Sequence, residues 1–418
     1  MFILSLLYVV LTIIRPQDYM PALAGVPLLP VVLILASLAW LASRAKTFDA
    51  PQFLILPMFM VVAMLSLVVN HWLGGALEVL RTFGPIVIAF FVLAAGCHSR
   101  RNVTIAMAVF VLCAVVLALH SVEQAHTGIG WTGTLLGEDG RVRYVGIFND
   151  PNDLGLLFAA TMPMAFFLTG FGGFLGRLFW LAAAALLLYG IYLTNSRGAL
   201  LAALVVFGGY IWFRRGLVTA GVLGVLGLTA LKMLSMRMQD LDPDESSALG
   251  RVDAWYEGLH MFMSNPVLGV GVGNFTDYNQ LTAHNSFVLV LAETGFVGFT
   301  LWLAFVGYGF WMMLAVLRHQ PEMSEQTTDD WRAERTMALT LLLSLCGMFA
   351  CAFFLSRSYT IILYLIIAVV VGYYVGASRR WPALRRFRLG ESLSRWLLFS
   401  IGGIVMLYIT TTILLMAA

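Results

Sequence analysis

The residues best placed for chemistry are Ala283-His284-Asn285-Ser286, which close a polar loop just before a long apolar run that begins at Phe287 and carries Gly295 and Gly298. An imidazole at such a junction is partly solvated and accepts a proton near neutral pH. Asn285 or Ser286 is suited to cap the helix that follows, and a helix N-terminus favours an anion beside it. Arginines recur in comparable places. Arg197 lies in the tight turn Thr194-Asn195-Ser196-Arg197-Gly198, Arg357 lies in Ser356-Arg357-Ser358, and Arg141 and Arg143 precede Gly146-Ile147-Phe148-Asn149-Asp150-Pro151-Asn152. Arg251 falls on an expected amphipathic helix over 247–264, where Leu249, Val252, Trp255, Tyr256, Leu259, Phe262 and Met263 share a face that would lie on a bilayer. For any single arginine a lipid headgroup or a salt bridge to Asp240, Asp242, Asp253, Glu257 or Asp277 is the plainer account. Several forked, permanently charged guanidiniums on one face match phosphate oxygens.

Other signals are weaker. His120, Glu123 and His126 suggest a metal site, but six residues of helix turn about 240°, so the two imidazoles do not share a face. No other metal spacing occurs, and no metal or other cofactor is expected. Gly269-Val270-Gly271-Val272-Gly273 follows Asn265-Pro266 rather than a strand, so it reads as a turn bringing backbone close to something, not a dinucleotide loop. A phosphate-binding GxxxxGK[ST] is missing, and a nucleotide-driven mechanism has no support. Glu293 would sit about 180° round and roughly 13 Å deeper than His284 on the following helix, as an internal hydrogen-bonding group. Cys97, Cys113, Cys346 and Cys351 lie in or beside apolar runs without a disulfide framework.

The elements that must hold these residues are membrane helices. Of 418 residues, 60% are hydrophobic and 11% charged, with mean hydropathy +0.88, where a soluble chain carries about 25% charged residues. Apolar runs near 1–14, 21–43, 52–70, 79–97, 103–119, 153–169, 178–194, 199–213, 217–234, 286–317, 337–356, 358–377 and 396–416 give an all-α, polytopic integral membrane protein. Twelve helices are expected, thirteen if 396–416 spans, in a single transmembrane domain over 1–418. Sixteen of the 25 basic residues fall in alternate breaks: Arg44/Lys46, Arg100/Arg101, Arg177, Arg214/Arg215, Arg318 with Arg332/Arg335, and Arg379 to Arg395. Those breaks are therefore cytoplasmic, with the N-terminus inside. The outer breaks are 15–20, 70–78, 120–152, 195–198, 235–285 and 356–359, and every motif above falls on them. The two long periplasmic loops are then 120–152 and 235–285, the second containing the amphipathic helix.

Three blocks together resemble the O-antigen ligase family, the WaaL and Wzy_C-like membrane glycosyltransferases. They are Arg143 to Asn152, then Ser196-Arg197-Gly198-Ala199 with Leu201, and Arg251, Trp255, Asn265-Pro266, Gly269, Gly271, Ala283-His284-Asn285, Gly295 and Gly298. The resemblance implies transfer of a preassembled glycan from undecaprenyl diphosphate to an acceptor sugar such as lipid A-core. The site would face the periplasm from the bacterial inner membrane. On this reading His284 is the catalytic base, Arg143, Arg197 and Arg251 bind the diphosphate, and Asn285, Ser196, Asn152, Arg141 and Arg357 support them. Polymerases of O-antigen or exopolysaccharide and protein O-oligosaccharyltransferases of the same superfamily are alternatives. An exporter or anion transporter is an alternative of another class, for which broken or charged helices near the midplane are the expected mark. No nucleic-acid partner is expected.

Overall fold

A computed structural model describes the chain except Arg44, Ala45, Thr47, residues 240–245, residues 322–324 and Ala418. Part of the 235–285 loop, with Asp240 and Asp242, therefore lies outside the described residues, as does Arg44. The chain is 78% helix, and among the described residues the one β pairing is an isolated bridge between Ile129 and Leu135. The helices are α1 (Phe2–Ile14), α2 (Leu28–Ala42), α3 (Gln52–Val69), α4 (Leu73–Gly96), α5 (Arg100–Thr127), α6 (Pro151–Leu168), α7 (Gly173–Leu193), α8 (Arg197–Arg215), α9 (Leu217–Gln239), α10 (Ser246–Ser264), α11 (Phe275–Tyr278), α12 (Ser286–Arg318), α13 (Glu325–Ala352), α14 (Ile361–Arg380) and α15 (Leu389–Ala417).

Nine of the described helices are long and apolar enough to cross a membrane: α3, α4, α5, α7, α8, α12, α13, α14 and α15. Leu28–Ala42 and Leu217–Ala230 are shorter apolar helices. Their outward faces stay apolar, with Val225, Leu398 and Met406 each more than half exposed, as hydrocarbon solvent allows and water does not. The core lies between α6, which packs on α5, α7, α8 and α13, and α12, which packs on α3, α10, α13, α14 and α15. Small residues permit the close approaches. A Cβ on Gly155 of α6 would meet Ala199 of α8 at 2.5 Å, and one on Gly347 of α13 would meet the carbonyl oxygen of Ala159 on α6 at 2.9 Å.

Three findings differ from the expectations or go past them. First, α12 is not one continuous helix. Gly295 breaks it at φ 62°, ψ −164°, whereas Pro57, Pro85 and Pro163 sit inside helices that continue past them. The glycine-rich loop fills the break. Val270 N–H donates to Ala292 C=O at 2.9 Å and Gly271 N–H to Glu293 C=O at 3.0 Å, while Phe296 N–H and Val297 N–H donate to the carbonyls of Pro266 and Val267. The backbone that Gly269 was expected to approach is therefore this broken turn: a Cβ there would lie 2.4 Å from the Glu293 carbonyl carbon. Glu293 is buried beside the break, near the Tyr359 hydroxyl and the amides of Gly273 and Phe275, but its Oε2 and that hydroxyl have no hydrogen-bond partner among the described residues.

Second, α10 exists but does not simply float on a bilayer. Trp255 and Leu259 are buried, Trp255 with its ring edge-on to Phe353 at 5.5 Å, and Gly258 lets the helix close on Val288 and Phe275. Tyr256 and Met263, expected on the same face, are exposed. The reason is the missing side chain at Gly258, which turns the seam toward α12. Third, α15 runs antiparallel to α12 along its length. Trp396 packs on Trp311 at 4.5 Å and against Gly307, Gly403 lies against Phe299, and α15 also meets α10. The last apolar run thus traverses the bundle and ends on the side of α10.

Candidate active site

The N-terminus of α12 carries His284. Asn285 caps the helix, its Oδ1 accepting from Phe287 N–H at 2.9 Å and Val288 N–H at 3.2 Å, the role expected of either Asn285 or Ser286. Ser286 instead ties the junction to the α13–α14 turn. Its hydroxyl donates to Leu355 C=O at 2.6 Å and accepts from Arg357 N–H at 3.0 Å, and its carbonyl accepts from the Ser358 hydroxyl at 2.7 Å. Between buried Ala283 and Asn285, His284 adopts the left-handed φ of 47°, uncommon for a residue with a side chain and costing of order 1–2 kcal/mol. Clamped on both sides, it is presented at one position. Its ring is half-buried, and among the described residues no protein group hydrogen-bonds it.

A second junction faces the first. Asp150 caps α6 through Asn152 N–H at 2.9 Å, with Pro151 as the first helical residue. Asn152 Oδ1 then accepts from Arg141 Nη2 at 2.9 Å and from the Ser196 hydroxyl at 2.7 Å. Arg141 Nε also donates to Thr194 C=O at 3.0 Å. Ser196 caps α8 through Ala199 N–H at 3.3 Å, which puts Arg197 at the first position of that helix, after Asn195 in the left-handed region at φ 49°. Asn152, Ser196 and Arg141 are thus one hydrogen-bonded unit joining the α6 and α8 N-termini.

Electrostatics join the two junctions. Burial lowers the Arg251 guanidinium from its ordinary value, the charges of Arg141 and Arg197 lower it further, and Asp150 opposes them. Burial likewise lowers the His284 imidazole below 6.5, with Arg251 and Arg357 adding to the effect and Asp150 opposing it. His284 is therefore neutral at pH 7 and able to take a proton. Arg357 differs from the other arginines. Burial works against its charge, but its Nε bonds Asp153, its Nη2 lies 3.2 Å from Asp150, and these carboxylates outweigh burial and raise it. Among the described residues Arg197 and Arg251 have no carboxylate partner. Four guanidiniums thus meet three carboxylates, Asp150 and Asp153 at Arg357 and Asp139 3.8 Å from Arg141, leaving a net positive charge that suits an anion.

Of the residues singled out in the sequence, the structure brings together His284, Arg197, Arg251, Arg141, Asn152, Ser196, Asn285 and Arg357. Arg143 stands apart in its recorded contacts: its backbone N–H donates to Gln124 at 2.7 Å and its guanidinium lies 3.9 Å from Asp139. Nothing among the described residues couples it to His284. Asp150 and Asp153 were not singled out as site residues. The signal was present, since Asp150-Pro151 is a cap followed by an initiating proline. His120 and Glu123 serve the fold: His120 Nε2 bonds Thr132 at 2.8 Å, and Glu123 accepts from Trp131 N–H at 2.9 Å. The four cysteines are free, with Cys346 partly exposed and the others buried.

A comparison with curated proteins finds no match. A family model does match, over residues 182–303, from the middle of α7 past the break in α12; the matched region contains Arg197, Arg251 and His284 and leaves out Arg141, Asn152 and Arg357. Its description is O-antigen ligase (Wzy_C), so over residues 182–303, which include Arg197, Arg251 and His284, the chain is similar to the O-antigen ligase family.

Proposed function

We propose that this protein transfers a preassembled glycan from undecaprenyl diphosphate to an acceptor sugar hydroxyl, with lipid A-core the acceptor, at the periplasmic face of the inner membrane. The observation that carries this reading is the placement of a neutral His284 beside the guanidiniums of Arg197 and Arg251, none of the three having a hydrogen-bonding or carboxylate partner among the described residues. The acceptor oxygen attacks the anomeric carbon while the bond from that carbon to the diphosphate oxygen breaks. His284 takes the hydroxyl proton, and the departing lipid diphosphate keeps the electron pair. Arg197, Arg251 and Arg141 hold its growing charge, each charge-assisted contact contributing about 1.5–3 kcal/mol. Attack from the face opposite the leaving group inverts the anomeric centre. Arg357, neutralised by Asp150 and Asp153, fixes the turn behind Ser286 rather than binding donor. Arg143 is kept as a diphosphate contact of lower rank, since its partners are Gln124 at the end of α5 and Asp139 of its own loop.

The broken α12 bears on the transport reading, for which such breaks are the expected mark. The glycine-rich loop already takes backbone groups on both sides of the break, so they are not offered to a passing solute. The topology follows from charge and geometry together. With α1, α2, α6 and α9 counted beside the nine long apolar helices, the spans number thirteen and the C-terminal end of α15 lies outside with His284.

The test is reconstitution of the purified protein with lipid-diphosphate glycan and three acceptors, lipid A-core, a second glycan and a protein, in the presence and absence of excess chelator. Product on lipid A-core, formed equally with chelator and lost by about 10²–10⁴-fold in His284→Ala, is the expected result. Product on a glycan or a protein alone would move the protein to the polymerase or protein-glycosylating branch. Near-normal turnover of His284→Ala would remove the base assignment.

A further inference from the structure

At the other end of α12 from His284 lies a cavity of about 540 Å³ that the transfer reaction does not use. Arg318, His319, Arg385 and Arg395 line it, over an aromatic floor of Trp311 and Phe387. The floor is fixed. Trp311 and Phe387 lie nearly parallel at 6.2 Å, and Trp396 packs on Trp311. The linker between α14 and α15 is tied down at two carbonyls: Tyr374 hydroxyl donates to that of Arg385 at 2.5 Å and Tyr308 hydroxyl to that of Arg388 at 3.4 Å. Arg385 stacks over Phe387 at 5.1 Å. Among the described residues none of Arg318, Arg385 and Arg395 has a carboxylate partner, and Glu391, in the first turn of α15, pairs with none of them.

We propose that this cavity binds a phosphate group, and that the group is the headgroup phosphate of an anionic glycerophospholipid. Three arginines that converge on a preformed hollow from two helices and a tethered linker differ from arginines scattered to mark an inner face. Each fork can donate twice to phosphate oxygens. The choice of lipid over free phosphate rests on what adjoins the hollow. Immediately after Arg395, Leu397, Leu398 and Phe399 are exposed on α15, an apolar track along which acyl chains can lie while the headgroup stays among the arginines. Basic pockets at the ends of membrane helices hold lipid headgroups on the same physical grounds.

Native mass spectrometry of the full chain in detergent tests this, with dioleoylphosphatidylglycerol and dioleoylphosphatidylethanolamine titrated separately. The pocket variant is Arg318→Gln/Arg385→Gln/Arg395→Gln. The comparator, Arg177→Gln/Arg214→Gln/Arg215→Gln, removes the same charge from basic breaks outside the cavity. Wild type and comparator should bind phosphatidylglycerol alike, more tightly than phosphatidylethanolamine, and the pocket variant should lose roughly tenfold or more. Arg318→Gln alone, should the triple variant not fold, should weaken the same lipid in the same direction. Equal loss in pocket variant and comparator would overturn the site. Displacement of the lipid by millimolar inorganic phosphate would overturn the lipid as the source and leave a soluble phosphate in its place.

Discussion

At the scale of single residues, the proposed role of His284 as a base depends on surroundings that keep it uncharged. Burial and the positive charge of Arg251 both hold its imidazole below the ordinary value, so the catalytic form is complete at neutral pH and is lost as pH falls through the lowered value. Arg251→Gln removes the larger of the two arginine contributions, leaving burial and Arg357. The acid limb of the kcat/KM profile should then move to higher pH, together with weaker donor binding; an unmoved limb would separate Arg251 from His284. Arg197 makes a different prediction, since no carboxylate among the described residues competes for it. Arg197→Lys should weaken donor binding in detergent nearly as much as Arg197→Ala, by about tenfold, because one ammonium cannot bridge two phosphate oxygens. Arg214→Lys, on the opposite end of α8, should leave binding unchanged. Wild-type binding by Arg197→Lys would make Arg197 a positional charge.

At the scale of elements, the sequence was informative where one rule acted alone. Apolar runs yielded the helices, Asn285 announced a cap, and Gly269 to Gly273 announced close backbone approach. The break at Gly295 was hidden because the apolar run resumes directly after Glu293-Thr294-Gly295, and neither Pro nor a polar cluster marks an end. What supports it, the backbone of residues 266–271, is backbone, and backbone leaves no trace in hydropathy. The docking of α10 was hidden similarly, since Gly258 reads as a weak helix residue until Val288 is found against it. The pairing of Arg357 with Asp150 and Asp153 joins positions two hundred residues apart, beyond any local pattern. The break supplies its own test. Gly295→Ala places a Cβ 2.4 Å from the Val267 carbonyl carbon at a positive φ, which should cost at least about 2 kcal/mol. Thermal unfolding in detergent should fall accordingly, and Gly402→Ala, with open space around it, should not change it. An unshifted midpoint for Gly295→Ala would mean the loop and helix part easily.

At the scale of the whole molecule, the arrangement is a bundle with its two chemically distinct ends on opposite faces: the His284 junction at one, the basic linker before α15 at the other. A reporter fused after Met416 should therefore behave as exported, with alkaline phosphatase active and a fluorescent protein dark, and one fused after Arg215 should show the reverse. A cytoplasmic signature at both positions would take α15 out of the spans. The contact between α10 and α15 also carries a meaning in time. A ribosome delivers Arg141, Arg197, Arg251 and His284 in order, yet the helix that shares the seating of α10 leaves the tunnel more than a hundred residues after His284. On the proposed topology the polar outer segment is then across the membrane but not fully claimed, and a chain whose synthesis stops before α15 would carry every proposed site residue without that buttress, a form that quality-control proteases can tell from the folded protein.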